Sequence, residues 1–555
     1  MQNQASELVF LPLGGVGEIG MNLGLYGIGP AEDRSWLMID CGVTFAGPDL
    51  PGVDLVLPDI RFIEAEKDRL LGIVITHAHE DHYGALVELW PHLEAPLYLS
   101  PFAAGLLEAK LTHGGPKEIP MNIIKAGERL NLGPFDLEFI AMSHSIPEPM
   151  AVAIRSEHGT VVHTGDWKID HEPGIGEPID MDRLAEIGRE GVRALLCDST
   201  NAVREGASPS EADVADTLTK IIGSAKRRVA VTSFASNVAR IRAVAKAAKA
   251  NDREIVVVGR AMKRAVEVAT DLGYMDDMPE FLDEESYGYL PRDKVVALCT
   301  GSQGESRAAL ARIANDDHRH VTLSRGDMVI FSARTIPGNE KAVGAVINGL
   351  VDQGMDVVTD RDGLVHVSGH PRKGELEQLY NLLKPQLLVP VHGEPLHLEA
   401  QVHFARKNGI KEIVSGRNGD IIRLAPGPGK VIDDAPSGIL VKDGLLLIDP
   451  EVSGIQERRK LSFVGVATGY ITMNRAGEIQ GDPDVILFGL PECDQHGDDF
   501  EDIALDGLEG AVMSIPKSRR RDANVVTEAA RRGLRSAIAE RWGKKPLCRV
   551  VVNVI

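Results

Sequence analysis

The 555-residue chain has few cysteines and no excess of positive charge. Its five cysteines are scattered, and no two of them form a C-x-x-C pair. Neither a disulfide framework nor a cysteine-based metal site is therefore predicted, and reduced thiols are typical of a cytoplasmic protein. The formal net charge of −21 argues against a protein that binds polyanions over its whole surface.

Long apolar runs are also missing. No stretch approaches the roughly 20 apolar residues needed to span a bilayer. The first residues, "MQNQASELVF", lack the basic start and the apolar segment of a signal peptide. We therefore expect a cytoplasmic protein without a membrane partner. The length predicts two to four domains.

Charge is unevenly distributed near the end of the chain. Residues 491–510 carry eight acids and no lysine or arginine, whereas residues 517–549 carry eleven lysines and arginines against three acids. A local basic face inside an acidic protein is one interpretation of this pattern. A solvated helix surface is the other.

Three histidines and an aspartate lie within six residues in "THAHEDH", residues 76–82, directly after the apolar run "LGIVI". An extended loop would direct His77 and His79 to one side, with Asp81 and His82 following before a helix "YGALVELW". Imidazole and carboxylate ligands suit zinc, and also manganese. The pattern predicts one loop that serves two neighbouring metal ions.

Other ligand candidates also follow apolar runs: His144, Asp166 and His392. Each alone would be an ordinary polar residue at a strand end. Their shared placement favours a single site along one edge of an α/β layered fold. We assign His77, His79, His144 and Asp166 to one ion, and Asp81, His82, Asp166 and His392 to the other, so that Asp166 bridges both.

The pattern of predicted elements changes near residue 209. From there strands and helices alternate, as in βαβ units with a mostly parallel sheet. After this stretch, an apolar strand followed by a histidine occurs again, as in the first part of the chain. The alternating stretch is therefore predicted to be a domain inserted into the first domain. The predicted boundaries are 1–208 and 366–435 for the first domain, 209–365 for the inserted domain, 436–459 for a linker and 460–555 for a small α/β domain.

Several motifs resemble known families. H-x-H-x-D-H, His144 and "HTGDWK" resemble the metallo-β-lactamase fold, and "MIDCG" resembles its first motif, in which the equivalent of Asp40 orients ligands without binding metal. "LLCDST", "HVSGH" and "VPVHGE" resemble the three extra motifs of the β-CASP nucleases, whose RNA-directed members have a histidine like His392. "LGGVGEIGMN", "SFASN", "TGSQGE" and "IPGNE" extend the resemblance to the bacterial ribonuclease J family over about residues 8 to 555.

This resemblance implies an α/β architecture: a metallo-β-lactamase αββα sandwich with an inserted β-CASP α/β domain and a small C-terminal α/β domain. It implies a metal-dependent ribonuclease with 5′→3′ exonuclease and endonuclease activity, acting in RNA decay and rRNA maturation. Two divalent ions per subunit are expected, zinc ahead of manganese or magnesium. The stretch "AGPDLPG" is less acidic than in family members with a structural calcium site, which argues against such a site in this chain.

The resemblance also implies roles for individual residues. Asp198 and His370 would be acid/base partners. Two segments would hold RNA: Ala235, Ser236 and Asn237, and His366, Val367, Ser368, Gly369 and His370. The glycine in "HVSGH" would let backbone N–H groups approach a phosphate. A plain helix N-cap is the alternative for "SFASN", and a polar turn before a helix is the alternative for "HVSGH".

Expected partners are single-stranded RNA with a preference for a 5′-monophosphate, a second or further copies of the chain in a homodimer or homotetramer formed through residues 460–555, and RNA-decay or ribosome-associated proteins. Two other functions compete. A lactonase- or thioesterase-type metallohydrolase is disfavoured by the insertion, His392 and the basic segment. A non-catalytic RNA-binding protein with a vestigial metal site is disfavoured because all seven ligands are present.

Overall fold

The computed structural model describes residues 6–112, 114–116, 118–336 and 338–555. The chain forms two compact units. The first comprises Met1–Phe45 and Leu55–Leu440, and the second comprises Ala46–Asp54 and Val441–Ile555.

Strands of the first unit are numbered along the chain: β1 (Glu7–Gly14), β2 (Leu23–Gly29), β3 (Ser35–Ile39), β4 (Leu55–Pro58), β5 (Leu70–Val74), β6 (Leu97–Leu99), β7 (Met121–Ile123), β8 (Arg129–Leu132), β9 (Phe135–Ala141), β10 (Met150–Ser156), β11 (Gly159–His163), β12 (Ala194–Asp198), β13 (Val229–Thr232), β14 (Glu254–Val258), β15 (Phe281–Asp283), β16 (Val295–Cys299), β17 (Met328–Phe331), β18 (Asp356–Val358), β19 (Leu387–Val391), β20 (Glu412–Ile413), β21 (Asp420–Ala425) and β22 (Lys430–Asp434).

Its helices are α1 (Arg61–Ala65), α2 (Glu80–Tyr83), α3 (Leu86–Leu93), α4 (Pro101–Leu111), α5 (Met181–Glu190), α6 (Glu211–Ser224), α7 (Val238–Ala250), α8 (Arg260–Asp271), α9 (Ala309–Ala314), α10 (Glu340–Asp352), α11 (Lys373–Leu383) and α12 (Pro395–Lys407), with short 3₁₀ turns at Lys67–Arg69 and Glu284–Tyr289.

Two large sheets form the sandwich. One has the order β22-β21-β1-β2-β3-β5-β6-β7 and the other β20-β19-β12-β11-β10-β9-β8. The side chains of β10 show how the layers form, because successive residues point to opposite faces: Val152 belongs to the core between the sheets, whereas Ala151 and Ala153 pack in a second core with α5, α11 and α12. The predicted αββα sandwich is confirmed.

The predicted inserted α/β domain is also confirmed. Its sheet has the order β15-β14-β16-β13-β17-β18, and all of its strand pairs are parallel. The central strands are continuous apolar runs, as expected for strands covered on both faces. Strands β2 and β10 of the sandwich did not stand out in the sequence, because the glycines of "LGLYGIG" and the small side chains of "MAVAIRS" weaken their strand pattern.

The second unit has a small core of its own. Its elements are the hairpin β23 (Ile439–Asp443) and β24 (Leu446–Ile448), the helices α13 (Ile455–Val464), α14 (Phe500–Met513) and α15 (Ala523–Trp542), and the strands β25 (Val466–Met473), β26 (Asp484–Phe488) and β27 (Leu547–Val554). One face of the β26-β25-β27 sheet packs on α14 and α15. The segment 436–459, expected to be a linker, thus contains a hairpin and the start of a helix.

Three arginines of the second unit pair with acids of the same unit. Arg541 pairs with Asp494 and Asp498, and Arg531 and Arg532 both pair with Glu528. The basic segment on α15 is therefore engaged in part with acids of the same unit, which favours the solvated-surface interpretation. No helix within the described part of the chain is both long and apolar enough to cross a membrane.

Candidate metal centre

The histidine-rich loop follows β5 and is tied to the loop after β3. Asp81 and His82 lie inside the short helix α2, whereas the sequence predicted that they follow an extended loop and precede a longer helix. The chain turns directly after His79, and α2 lies against residues 41–43. The N–H of Cys41 donates to the carbonyl of His82, at 2.7 Å. A Cβ at Gly42 would lie only 1.7 Å from the carbonyl oxygen of Asp81, so this close contact requires glycine.

Four imidazoles have one ring nitrogen fixed by a neighbour. His77 Nδ1 lies 3.0 Å from Thr76 Oγ1, and His82 Nδ1 lies 2.7 Å from Asp40 Oδ2. His144 Nδ1 lies 2.6 Å from Gly369 O, and His392 Nδ1 lies 2.9 Å from Asn22 Oδ1. Such partners set the tautomer and leave Nε2 free to bind a metal. Asp40 thus contacts His82 and also accepts from the backbone N–H of Thr76 at 2.8 Å.

The free nitrogens converge on one carboxylate. Asp166 Oδ2 lies 3.8, 3.3, 3.6 and 3.4 Å from the Nε2 atoms of His77, His82, His144 and His392. His79 Nδ1 lies 3.1 Å from both His77 Nε2 and His144 Nε2. Two groups of four residues each place their donor atoms within 4.8 Å of one another. One group is His77, His79, His144 and Asp166, and the other is Asp81, His82, Asp166 and His392. The structure therefore brings together both ligand sets predicted from the sequence.

Electrostatics at this cluster suit a cation. Burial and neighbouring imidazoles hold the pKa of His77 well below its ordinary value, and burial lowers that of His144 to about 4. Neutral imidazole is the form that binds metal. Burial opposes protonation of His82 too, but Asp166, Asp81 and Asp40 raise its pKa well above the ordinary value. Carboxylates beside imidazole nitrogen donors match the chemistry of a zinc or manganese site.

Asn22 is a further member of the centre that sequence reasoning did not single out. Its Oδ1 accepts from His392 Nδ1, and its Nδ2 donates to the carbonyl of Asp81 at 3.0 Å. Asn22 thereby joins the two ends of the second ligand set. The only signal was its place in "LGGVGEIGMN", where an asparagine after four glycines looks like an ordinary turn.

Two residues of the centre have a strained backbone. Asp40 and His392 both adopt left-handed backbone conformations, with φ of 64° and 51°. Residues other than glycine rarely adopt this conformation, and it persists where the surroundings impose it, often at functional sites.

Asp198 and His370 form a hydrogen-bonded pair beside the cluster. Asp198 ends β12 and is fully buried, and its Oδ2 lies 2.7 Å from His370 Nδ1. Burial lowers the pKa of His370, but the carboxylates of Asp198 and Asp166 outweigh it and raise the pKa to about 9. Donor atoms of Asp166, Asp198, His370 and His392 also lie within 4.8 Å of one another, so geometry alone allows this pair a ligand role.

The segment His366–His370 has a tighter structure than its sequence suggested. A Cβ at Gly369 would lie 2.4 Å from His144 Nδ1, so the glycine here accommodates a ligand candidate, whereas the sequence suggested that it makes room for a phosphate. The Val367 side chain is buried at 3% exposure, which leaves only its backbone for a substrate contact. Ser368 Oγ accepts from Asn201 Nδ2 at 2.8 Å.

The other predicted RNA segment precedes α7. Asn237 is the N-cap of this helix, and its Oδ1 accepts from the backbone N–H of Arg240 at 2.9 Å. This is the capping role that was the alternative for "SFASN". Asn237 is buried at 3% exposure, whereas Ala235 and Ser236 are partly exposed.

An αββα sandwich whose strand ends bring these histidines and aspartates together defines a protein of the metallo-β-lactamase fold. The chain matches the metallo-β-lactamase superfamily over residues 28–260 and the Zn-dependent metallo-hydrolase RNA specificity domain over residues 354–414. It also matches the β-CASP domain of ribonuclease J over residues 226–350 and the ribonuclease J C-terminal domain over residues 453–555.

Full-length relatives give the particular family. A ribonuclease J of Sinorhizobium meliloti is 56% identical over 553 residues, covering 100% of this chain and 98% of the relative. A ribonuclease J of Mycolicibacterium smegmatis is 38% identical, covering 98% of this chain and 96% of the relative. The chain belongs to the ribonuclease J family.

A solved structure shares the fold. The crystal structure of a protein of unknown function from Enterococcus faecalis V583 superposes with a TM-score of 0.53 at 16% sequence identity, covering 76% of this chain and 100% of that one. At this identity the likeness concerns the fold alone.

Proposed function

We propose that this protein is a cytoplasmic, metal-dependent ribonuclease that removes nucleotides from the 5′ end of RNA in the 5′→3′ direction and also cleaves internally, in RNA decay and rRNA maturation. The observation that carries the proposal is the convergence of His77, His82, His144 and His392 on Asp166 Oδ2, in a chain of the ribonuclease J family.

Two divalent ions, zinc ahead of manganese or magnesium, would be held by the two ligand sets, with Asp166 between them. When bound, such a pair lowers the pKa of a water molecule and neutralises charge that develops on the phosphoryl oxygens. Asp40, Thr76 and Asn22 hold the imidazoles so that the ligand nitrogens face inward.

His370 and Asp198 are proposed to handle the proton. The His370 side chain is 20% exposed, whereas Asp198 is fully buried, so only His370 can reach a bound phosphodiester. Asp198 accepts from Nδ1 and thereby directs Nε2 outward. In this position His370 would donate a proton to the leaving 3′-oxygen, a contribution of general acid–base type.

RNA binding is proposed to involve Ala235 and Ser236 on one side and residues 366–370 on the other. A monophosphate at the 5′ end would fit a closed pocket between these segments, whereas a triphosphate would collide with its wall. Hydroxyl and N–H donors suit a phosphate dianion. Internal cleavage needs no such end and would be less sensitive to the 5′ group.

The complete ligand geometry supports an active enzyme over a vestigial site, and the matching RNA specificity domain supports RNA over a small ester or lactone. Self-association through the second unit, and binding to RNA-decay or ribosome-associated proteins, are proposed from family membership.

The proposed function is tested with RNAs of one sequence that carry a 5′-monophosphate or a 5′-triphosphate, incubated with and without chelator. Faster release of the first nucleotide from the monophosphate RNA, abolished by chelation, is expected. Ser368→Ala should shrink this preference and retain metal. Equal release from both RNAs contradicts the closed pocket. Hydrolysis of generic esters without RNA cleavage contradicts the ribonuclease.

A further inference from the structure

Three arginines of the first unit lie next to the proposed catalytic loop but have no part in the chemistry described above. Arg204 follows β12 by six residues, Arg372 directly precedes α11, and Arg334 follows β17. None of their guanidinium groups forms an ion pair with a carboxylate among the described residues.

Backbone hydrogen bonds place Arg204 beside Arg372. The N–H of Lys373 donates to the carbonyl of Arg204 at 3.0 Å, and the N–H of Gly374 donates to the carbonyl of Gly206 at 2.8 Å. The same loop is attached to the catalytic segment, since Asn201 Nδ2 donates to the carbonyl of His370 at 3.2 Å.

Arg334 completes the group. Its carbonyl accepts from Gln303 Nε2 at 2.8 Å, which anchors the loop after β17. Burial, and then the positive charges of Arg334 and Arg372, lower the pKa of Arg204, and only Asp360 acts in the opposite direction. Burial and the nearby Arg240 and Arg334 hold the pKa of His366 well below its usual range. The Oγ of Ser332, two residues before Arg334, donates to the carbonyl of Val365 at 2.7 Å. Arg334 therefore lies beside the His366–His370 segment, and its charge also acts on Arg204.

Two carboxylates close in sequence to Arg204 and Arg372 are engaged elsewhere. Glu205 pairs with Lys373, and Glu375 accepts from Ser208 Oγ at 2.9 Å and from the backbone N–H of Arg372 at 2.8 Å. Arg372 Nε and His366 Nδ1 are buried donor or acceptor atoms without a hydrogen-bond partner in the described structure. Like charges placed together destabilise a fold, and Asp360 is the one carboxylate among the charges that act on Arg204 in the described structure. An external anion therefore explains the arrangement of three arginines better than stability does.

We propose that Arg204, Arg334 and Arg372 form a binding site for internal phosphodiester groups of the RNA, adjoining the catalytic segment. Planar guanidinium groups recognise phosphate oxygens in pairs of hydrogen bonds, and contacts of this kind fix the position of a nucleic acid without reading its sequence. In a chain with a net charge of −21, this local cluster would also guide RNA to the metal centre. The inference rests on the proposed ribonuclease function.

The test uses the full-length, metal-loaded protein and the single variants Arg204→Gln, Arg334→Gln and Arg372→Gln. KM and kcat are measured on 5′-monophosphate and 5′-hydroxyl RNAs over a series of salt concentrations. Each variant should raise KM roughly tenfold with kcat unchanged, on both RNAs. The slope of log(kcat/KM) against log[salt] should become less steep by about 0.7 per lost contact.

Two further variants separate binding from folding. Arg372→Lys keeps the charge but loses the paired hydrogen bonds, so it should retain the salt slope and recover part of the KM. Arg319→Gln removes an exposed arginine that is not among the charges acting on Arg204, and it should change neither quantity.

The outcomes are distinguishable. If the unmodified protein cleaves no RNA, the proposed function fails. If it cleaves RNA but the three glutamine variants keep its KM and salt slope, the phosphate site alone is wrong. Variants that lower kcat with an unchanged KM also overturn the site, because the arginines would then act on the chemical step. Defects confined to the 5′-monophosphate RNA overturn the assignment to internal phosphates.

Discussion

Asp198 Oδ2 lies 2.7 Å from His370 Nδ1, although 172 residues separate the two in the chain. The contact joins the end of a sandwich strand to the segment that follows the inserted domain. If His370 is the proton donor, His370→Ala should lower kcat by about 10² to 10⁴ and leave the metal content unchanged. His403→Ala, at an exposed helical position, is the control. Loss of metal from the His370 variant would instead place this residue among the ligands.

Asp81 is expected to bind one ion of the pair. Its side chain is 30% exposed and lies 3.5 Å from His82 Nε2 and 3.8 Å from His392 Nε2. Asp81→Ala should weaken binding of one metal and reduce ribonuclease activity while the fold is retained. Metal analysis by mass spectrometry and a circular dichroism melt measure these effects, with the exposed Asp216→Ala as control. Full activity in Asp81→Ala would refute the ligand assignment.

Asn22 is expected to act as a positioning residue. Removing its amide frees the imidazole of His392 to rotate and removes a donor to the Asp81 carbonyl. Asn22→Ala should weaken metal affinity by about 10- to 100-fold, the usual effect of losing a group that orients a ligand. Activity should return at high metal concentration. Asn131→Ala, on the exposed part of β8, should leave metal affinity unchanged, and an equal effect of both variants would contradict the role of Asn22.

Glu138 gives a pH-dependent contribution to stability. Hydrogen bonds from Arg183 lower its pKa to about 2 from an ordinary value of 4.5, with Arg155 adding to the effect and burial opposing it. A carboxylate with a depressed pKa stabilises the fold fully above pH 4.5, and this contribution is lost as the pH falls towards 2. The contribution is at most about 3 kcal/mol, and solvent screening reduces it.

Melting curves of Glu138→Gln and the unmodified protein between pH 7 and pH 3 measure this contribution. The variant should melt at a lower temperature at pH 7, and the difference should shrink as the pH falls below 4.5. Glu280→Gln, at an exposed site, provides the comparison. A difference that stays constant over the whole range would mean that Glu138 contributes packing only.

The outer face of the β26-β25-β27 sheet is the surface we expect to mediate self-association. Phe488 is 67% exposed and Tyr470 is 42% exposed, and Phe488 lies opposite Val466 in the strand register. Burying such a patch between copies would remove apolar surface from water. Phe488→Ser with Tyr470→Ser, or truncation after Ala435, should give a monomer in sedimentation experiments. The fully exposed Leu445, changed to serine, is the control, and an unchanged oligomer in the sheet variant would exclude this surface.

Much of the centre could be predicted because its residues follow buried strands. His77, His144, Asp166 and His392 each come after an apolar run, and a run of this kind fixes both a strand and the edge at which its end lies. The H-x-H-x-D-H spacing then indicated that these side chains bind metal. The capping alternative for Asn237 was also available from the sequence, since an asparagine before an apolar helix is a common N-cap.

What the sequence by itself determined is therefore most of the strands and helices and the set of candidate metal ligands, because both depend on local periodicity and residue type. Only the tertiary structure decided which imidazole nitrogens are held by Asn22 and Gly369 and why Gly369 must lack a side chain. It also decided that the backbone of Arg204 lies beside Arg372 and Lys373. These relations join segments that lie tens to hundreds of residues apart, and their hydrogen bonds and charges take effect only when packing brings the segments within a few ångströms.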